Sequence, residues 1–147
     1  MAKRRPDSDI KFFFEGVPNR FRRKKAIKES IHRLFKSEKQ PFESLNYIFC
    51  DDKFILKINK KYLKHRFRTD VITFNLSEKS DLVEGEIYIS IPTVKKNSRF
   101  YNVPFSHELQ RVMVHGALHL CGYEDETDSD RKTMKAKEDH YLAKFFK

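Results

Sequence analysis

Apolar positions along the chain fall into short runs and helical stripes that predict four strands and five helices. Runs rich in β-branched and aromatic residues predict strands, and apolar residues three or four positions apart predict amphipathic helices. The predicted strands are residues 10–17, 44–50, 70–76 and 85–91. The predicted helices are residues 20–38, residues 51–63, one starting at Thr93 after Pro92, one starting near Pro104 and ending at Gly122, and residues 130–145.

The order of these elements, β-α-β-α-β-β-α-α-α, predicts the fold class. The strands at 70–76 and 85–91 are separated by a short polar link and can pair as a hairpin with a long loop. Neither a repeat nor a linker interrupts the 147 residues, a length typical of one domain. We therefore predict a single α+β domain over residues 1–147, in which a four-stranded mixed β-sheet packs with about five helices.

The chain is strongly basic. Lys and Arg number 31 and Asp and Glu number 21, which gives a formal net charge of +10. Such an excess suits a polyanionic partner, nucleic acid first and an anionic membrane second; the alternative is a basic protein without such a partner. No run approaches the roughly 18 apolar residues of a membrane span, so we expect no membrane insertion. Cys50 and Cys121 make no disulfide framework, which favours a reducing, intracellular compartment.

The stretch HGALHLCGYED, residues 115–125, has the spacing of a metal site. His115 and His119 are four residues apart and share one helix face. Gly122 predicts the end of that helix, so that Asp125 can fold back toward the same point. Two imidazoles and a carboxylate suit Zn²⁺ and leave a coordination position open, as in catalytic sites. We predict one Zn²⁺ per chain on these three residues; the alternative is a pair of core histidines.

The residue after the first histidine indicates whether a metal here would serve a peptidase reaction. The spacing His-x3-His-x2-Gly-x2-Asp matches that of a three-ligand metallopeptidase site. Such peptidases carry a glutamate next to the first histidine, which accepts a proton from the attacking water. Here that position is Gly116. Peptidase chemistry is therefore disfavoured, although a metallopeptidase-like hydrolase stays open as an alternative.

A second group of functional candidates is the basic segment, residues 57–68, with the sequence KINKKYLKHRFR. Tyr62, His65 and Phe67 lie among its cations, and it contains no acid. Cations interleaved with aromatic residues are typical of single-stranded nucleic acid binding. The alternative is a solvated helix face with Tyr62 in the core. The six cations are Lys57, Lys60, Lys61, Lys64, Arg66 and Arg68.

Together these motifs resemble the YbeY family of bacterial endoribonucleases and rRNA maturation factors. HGALHLCGYED is similar to the family signature HGxLHLxGYDH. The resemblance covers roughly residues 45–140. Three further stretches agree in order and spacing: INKKYLKHRFRTDVITF (58–74), GEIYIS (85–90) and HELQRVMVHG (107–116).

The resemblance implies a single-domain, metal-dependent endoribonuclease that acts on single-stranded RNA. Its expected role is maturation of the 3′ end of 16S rRNA and quality control of the ribosome, with the small ribosomal subunit as partner, in the cytoplasm. His115 and His119 carry over as zinc ligands. The family has histidine where Asp125 stands and often has arginine where Leu63 stands.

The sequence also yields catalytic and substrate-binding candidates. Arg66 and Arg68 would hold the scissile phosphate and stabilise charge in the transition state, with help from Lys61 or Lys64. Glu108 lies two turns before His115 on about the same helix face and is the candidate general base. A non-catalytic ribosome assembly factor, in which the metal only fixes the fold, is the remaining alternative.

Overall fold

The structure is a computed structural model that describes residues 10–63, 70–77 and 82–146. The order of its elements is the predicted one. The strands are β1 (Ile10–Glu15), β2 (Phe42–Cys50), β3 (Val71–Asn75) and β4 (Val83–Ser90). The helices are α1 (Lys24–Ser37), α2 (Asp52–Ile58), α3 (Ile91–Phe100), α4 (Phe105–Leu120) and α5 (Asp128–Phe145), and a π-helical turn, Asn59–Leu63, extends α2.

The four strands form one mixed sheet in the order β1-β2-β4-β3. β1 pairs with β2 and β2 pairs with β4 in parallel, because the chain crosses over between these strands through helices. β3 pairs with β4 antiparallel, with Thr73 opposite Ile87. The predicted hairpin and the predicted α+β class, a four-stranded mixed sheet with five helices, are both confirmed.

Helix α4 is the central helix of the fold. It packs against β3 and β4 on one side and against α3 and α5 on others. Val112, Met113, Ala117 and Leu118 are at most 1% exposed, which explains why this segment is apolar around most of its circumference. The Tyr47 hydroxyl of β2 donates a hydrogen bond to the Met113 carbonyl at 2.9 Å, so this buried hydroxyl has a partner in the core.

Gly116 allows α4 to approach the sheet closely. A Cβ atom at this position would lie 2.8 Å from Cγ2 of Ile87 and 3.3 Å from Oγ1 of Thr73. A side chain would therefore push the helix away from β3 and β4. Since His115 and His119 are on α4, this approach sets their position relative to the strands.

The helix starts differ slightly from the predicted ones. α3 begins at Ile91 rather than Thr93, because the Ser90 hydroxyl caps it by accepting from the Thr93 backbone N–H at 3.3 Å. α5 begins two residues before the predicted 130, because Thr127 and Asp130 form a capping box. Among residues 10–63, 70–77 and 82–146, no helix has the length and apolar character needed to cross a lipid bilayer.

Candidate metal centre

Three side chains meet near the C-terminal end of α4. Nε2 of His115 and Nε2 of His119 are 3.1 Å apart. Oδ2 of Asp125 lies 3.2 Å from the first and 3.3 Å from the second. Asp125 reaches this point because α4 ends at Leu120 and the chain reverses through Gly122, whose φ of 102° favours glycine. The three residues predicted as ligands thus lie together.

The spacing of these three atoms fits a small divalent cation. Around tetrahedral Zn²⁺, with bonds of about 2.0–2.1 Å, neighbouring ligand atoms are about 3.3 Å apart. The three measured separations, 3.1, 3.2 and 3.3 Å, are close to this value. Imidazole nitrogen and carboxylate oxygen are also donors that zinc accepts. Both the geometry and the donor chemistry of the group therefore fit a bound metal.

Glu138, on α5, orients the first of these three side chains. Its Oε2 lies 2.6 Å from Nδ1 of His115, and the residue is only 4% exposed. When the Nδ1–H group donates a hydrogen bond to this carboxylate, Nε2 is unprotonated and its lone pair faces His119 and Asp125. Metal-binding histidines usually have such a partner on the second ring nitrogen. Glu138 is not predictable from the sequence, because 23 positions separate it from His115 and no local motif joins them.

The surroundings of His115 are electronegative. Burial by itself lowers the pKa of the His115 imidazole. The hydrogen bond and charge of Glu138, with the charge of Asp125, outweigh burial and hold the pKa above its ordinary value. The negative groups that stabilise an imidazolium here would equally stabilise a cation between the ligands.

Arg111 joins the carboxylates that surround the site. Its Nη1 donates to Oε1 of Glu138 at 3.1 Å, and its Nε and Nη2 donate to the two oxygens of Glu108 at 2.9 and 2.5 Å. The hydrogen bonds and charges of Glu108 and Glu138 outweigh burial and raise the pKa of the guanidinium. Glu138 is therefore held between a permanent cation and His115, which fixes its carboxylate as a hydrogen-bond acceptor.

An open cavity of about 570 Å³ lies beside the ligands. Its walls come from β3, from the residue before β3 and from the end of α4. Burial raises the pKa of the Asp70 carboxyl in this wall, against the opposing charge of Arg111. The described lining residues are Asp70, Val71, Ile72, Thr73, Asn75, His115, His119, Leu120 and Asp125.

Comparison with known proteins decides the family. A sequence model of the family described as Endoribonuclease YbeY matches residues 15–146. This chain belongs to the YbeY family. The Endoribonuclease YbeY of Amoebophilus asiaticus is 43% identical over 93% of this chain and 93% of its own length. That of Flavobacterium psychrophilum is 47% identical over 78% of this chain and 81% of its own length.

A solved structure supports the same assignment. The solution structure of a Thermotoga maritima protein matches with a TM-score of 0.66 and 30% sequence identity. The match covers 92% of this chain and 89% of that chain. The resemblance to the YbeY family found in the sequence is thus confirmed, and the family match extends beyond residues 45–140 at both ends.

Of the other predicted site residues of this YbeY-family chain, the structure describes Glu108 and Lys61. Glu108 is 2% exposed, and Arg111 engages both of its carboxylate oxygens. To accept a proton it would have to leave that ion pair, so its role as general base stays a prediction. Lys61 is exposed on the π-helical turn after α2. Three other candidates, Lys64, Arg66 and Arg68, lie outside the described residues.

Proposed function

We propose that this chain is a zinc-dependent endoribonuclease that cleaves single-stranded RNA in the maturation of 16S rRNA. The observation that carries the proposal is the group of His115, His119 and Asp125 beside an open cavity, in a chain of the YbeY family. The relatives matched by this chain are named endoribonucleases. The net charge of +10 suits a polyanionic substrate.

His115, His119 and Asp125 would hold one Zn²⁺ per chain. When bound, the ion supplies Lewis acidity, which polarises a phosphoryl oxygen and lowers the pKa of water. Glu138 keeps the proton of His115 on Nδ1, so that Nε2 is free to coordinate. Arg111 holds Glu138 in place through the 3.1 Å hydrogen bond.

The basic segment is proposed to hold the scissile phosphate. Arg66 and Arg68 would contact it, with help from Lys61 or Lys64. Chain connectivity supports this part of the proposal, because Arg68 precedes by two positions Asp70, which lines the cavity. Leu63 stands where the family often has arginine, so these cations would supply the charge in its place.

A carboxylate is proposed to accept the proton from the attacking water. Glu108 is the candidate from the sequence, but its two oxygens are engaged by Arg111. Asp70 lines the cavity, and its burial raises the pKa of its carboxyl, which suits a proton acceptor. Comparison of the Glu108→Gln and Asp70→Asn variants at equal metal content separates the two: the larger loss of kcat identifies the acceptor.

Two rival functions, a metallopeptidase and a non-catalytic assembly factor, are tested by one experiment. Zinc-loaded protein is incubated with end-labelled single-stranded RNA, with the same RNA in a duplex, and with a denatured protein substrate. We expect internal cleavage of the single strand alone, lost with chelator and restored by Zn²⁺. Cleavage of the protein substrate would support the peptidase. Retained metal without any cleavage would support the assembly factor.

In the cell, we propose that this activity acts in the cytoplasm on the small ribosomal subunit. There it would serve 3′-end maturation of 16S rRNA and ribosome quality control. It is tested by replacing the chromosomal copy with the His119→Ala variant. We expect 16S rRNA precursors extended at the 3′ end to accumulate, as measured by mapping of rRNA ends. Normal 3′ ends in that strain would contradict this role.

A further inference from the structure

Two adjacent aromatic side chains face solvent at the C-terminal end of α3. Phe100 is 81% exposed and Tyr101 is 59% exposed. Their rings are nearly perpendicular, with centroids 5.1 Å apart. In the part of the chain that the structure describes, Phe100 is the most exposed of the large hydrophobic residues. A pair of neighbouring exposed rings forgoes hydrophobic burial and is typical of a binding surface.

The backbone that carries this pair is well fixed. The backbone N–H of Tyr101 donates to the Asn97 carbonyl at 2.9 Å, and that of Val103 donates to the Ser98 carbonyl at 2.9 Å. Asn102 has a φ of 55°, in the left-handed region that asparagine tolerates, and ends the helix there. The rings are therefore presented from a defined helix end, which lowers the entropy lost when a ligand binds.

Exposed cations precede the rings on the same helix. Lys95, Lys96 and Arg99 are all exposed on α3, within five residues of Phe100. None of the three forms an ion pair with a carboxylate of the described residues. Phosphates could therefore approach them without displacing a carboxylate. Cations next to exposed rings suit single-stranded nucleic acid, whose phosphates meet Lys and Arg while its bases stack on aromatic side chains.

Asn97, on the face of α3 that also carries the rings, contacts a residue in the wall of the metal cavity. Asn97 precedes Phe100 by three and Tyr101 by four positions, so the three side chains share that face. Nδ2 of Asn97 lies 3.5 Å from Oδ2 of Asp70, which lines the cavity. The rings thus begin about one helical turn, roughly 5.4 Å along the axis, beyond the residue that touches the cavity wall.

We propose that Phe100 and Tyr101 form a stacking platform for unpaired bases of an RNA strand that runs out of the metal cavity along α3. Lys95, Lys96 and Arg99 contact the phosphates of that strand. The proposal rests on the proposed endoribonuclease function and adds a binding site separate from the metal ligands. It also gives a source of preference for single strands, because bases in a duplex are stacked on each other and do not offer their faces.

The absence of tryptophan from the chain allows a direct test of stacking. Phe100→Trp places a single indole on the platform, and Phe13→Trp places one on β1, where Phe13 is 44% exposed. We expect single-stranded RNA to quench the fluorescence of the Phe100→Trp protein, and neither an abasic strand of equal length nor a duplex to do so. Equal quenching of the Phe13→Trp control, or quenching by the abasic strand, would overturn the proposal.

The second test separates the platform from the metal centre. The substrate is a single strand of roughly twelve nucleotides, within the range that one binding groove covers. In the Phe100→Ala/Tyr101→Ala variant we expect KM to rise by about 5- to 150-fold, with kcat and metal content unchanged, since a stacked base contributes that much to affinity. Phe13→Ala should leave KM unchanged, and Phe100→Tyr/Tyr101→Phe should restore it.

The outcomes distinguish this inference from the proposed function. If the wild-type protein cleaves the strand and the double alanine variant has the same KM, the stacking platform is refuted and the proposed endoribonuclease function is retained. If the wild-type protein neither binds nor cleaves the strand, the proposed function fails and the platform fails with it. If KM is unchanged but self-association seen for the wild type by sedimentation is lost, the aromatic pair is a protein contact instead.

Discussion

Nδ1 of His115 lies 2.6 Å from Oε2 of Glu138, while Oε1 of the same carboxylate accepts from Arg111 at 3.1 Å. A carboxylate on α5 therefore decides how the imidazole on α4 is rotated and which ring nitrogen carries the proton. The chain reaches α5 only after it has passed Asp125. The orientation of His115 thus depends on the packing of the last helix against α4.

Glu138→Gln tests this relationship. The variant keeps the size of the side chain but loses the negative charge that holds the His115 proton on Nδ1. Loss of such a partner typically lowers metal affinity by about 10- to 100-fold. Competition with a zinc chelator of known affinity measures the change. Asp139→Asn, at an exposed neighbouring position, is the control and should not alter affinity. Equal affinity in the two variants would remove Glu138 from the site.

Gly116→Ala tests the close approach of α4 to the sheet. Alanine favours the helix by about 1 kcal/mol. The added Cβ, however, would lie 2.8 Å from Cγ2 of Ile87, and overpacking of this kind costs about 1–3 kcal/mol. We expect a net decrease in the free energy of unfolding, measured by urea denaturation. His107→Ala, exposed in the first turns of the same helix, should stay within about 0.5 kcal/mol. A more stable Gly116→Ala variant would contradict the packing argument.

The two cysteines should be unreactive in the folded protein. Burial raises the pKa of Cys50 and the pKa of Cys121 to about 12. At pH 8 the thiolate fraction is then on the order of 10⁻⁴, against roughly a quarter for an ordinary thiol. We expect slow alkylation by iodoacetamide, faster by about tenfold per pH unit between 8 and 10. Mass spectrometry follows the reaction, and the urea-unfolded protein is the control.

Cys121 is the more informative of the two thiols, because it follows His119 by two positions. Rapid alkylation of Cys121 in the folded protein, suppressed when zinc is added, would mean that it is a thiolate near the metal. Within residues 10–63, 70–77 and 82–146, the group that could hold a metal contains His115, His119 and Asp125 and no cysteine. We therefore expect zinc to leave the alkylation rate unchanged.

Local features predicted the fold and the grouping of His115, His119 and Asp125 well. The order of elements follows from periodicity, which differs clearly between the strand-like runs and the helical stripes. His115 and His119 follow from the geometry of one helix, and Asp125 from the chain reversal at Gly122. Each of these inferences needs only neighbouring residues, and the structure places all three side chains together.

Features that depend on packing between distant elements were not predictable in this way. Glu138 and His115 meet because α5 packs on α4, and no spacing in the sequence indicates that contact. The helix face alone indicates Glu108 as a general base, and that pattern does not show that Arg111, three positions later, binds its carboxylate. The exposure of Phe100 and Tyr101 was not predictable either, since adjacent aromatic residues are more often buried in a core.

We propose that RNA cleavage by this protein requires a metal held by His115, His119 and Asp125. It is tested most directly by adding Zn²⁺ in steps to metal-free protein and recording the initial rate of single-stranded RNA cleavage together with the bound metal. We predict a rate that rises in proportion to bound zinc and saturates at one ion per chain. His115→Ala and His119→Ala should bind no stoichiometric metal and show no cleavage, because two remaining ligands hold zinc weakly. Undiminished cleavage by metal-free protein, or by the His119→Ala variant, would show that cleavage does not require this metal.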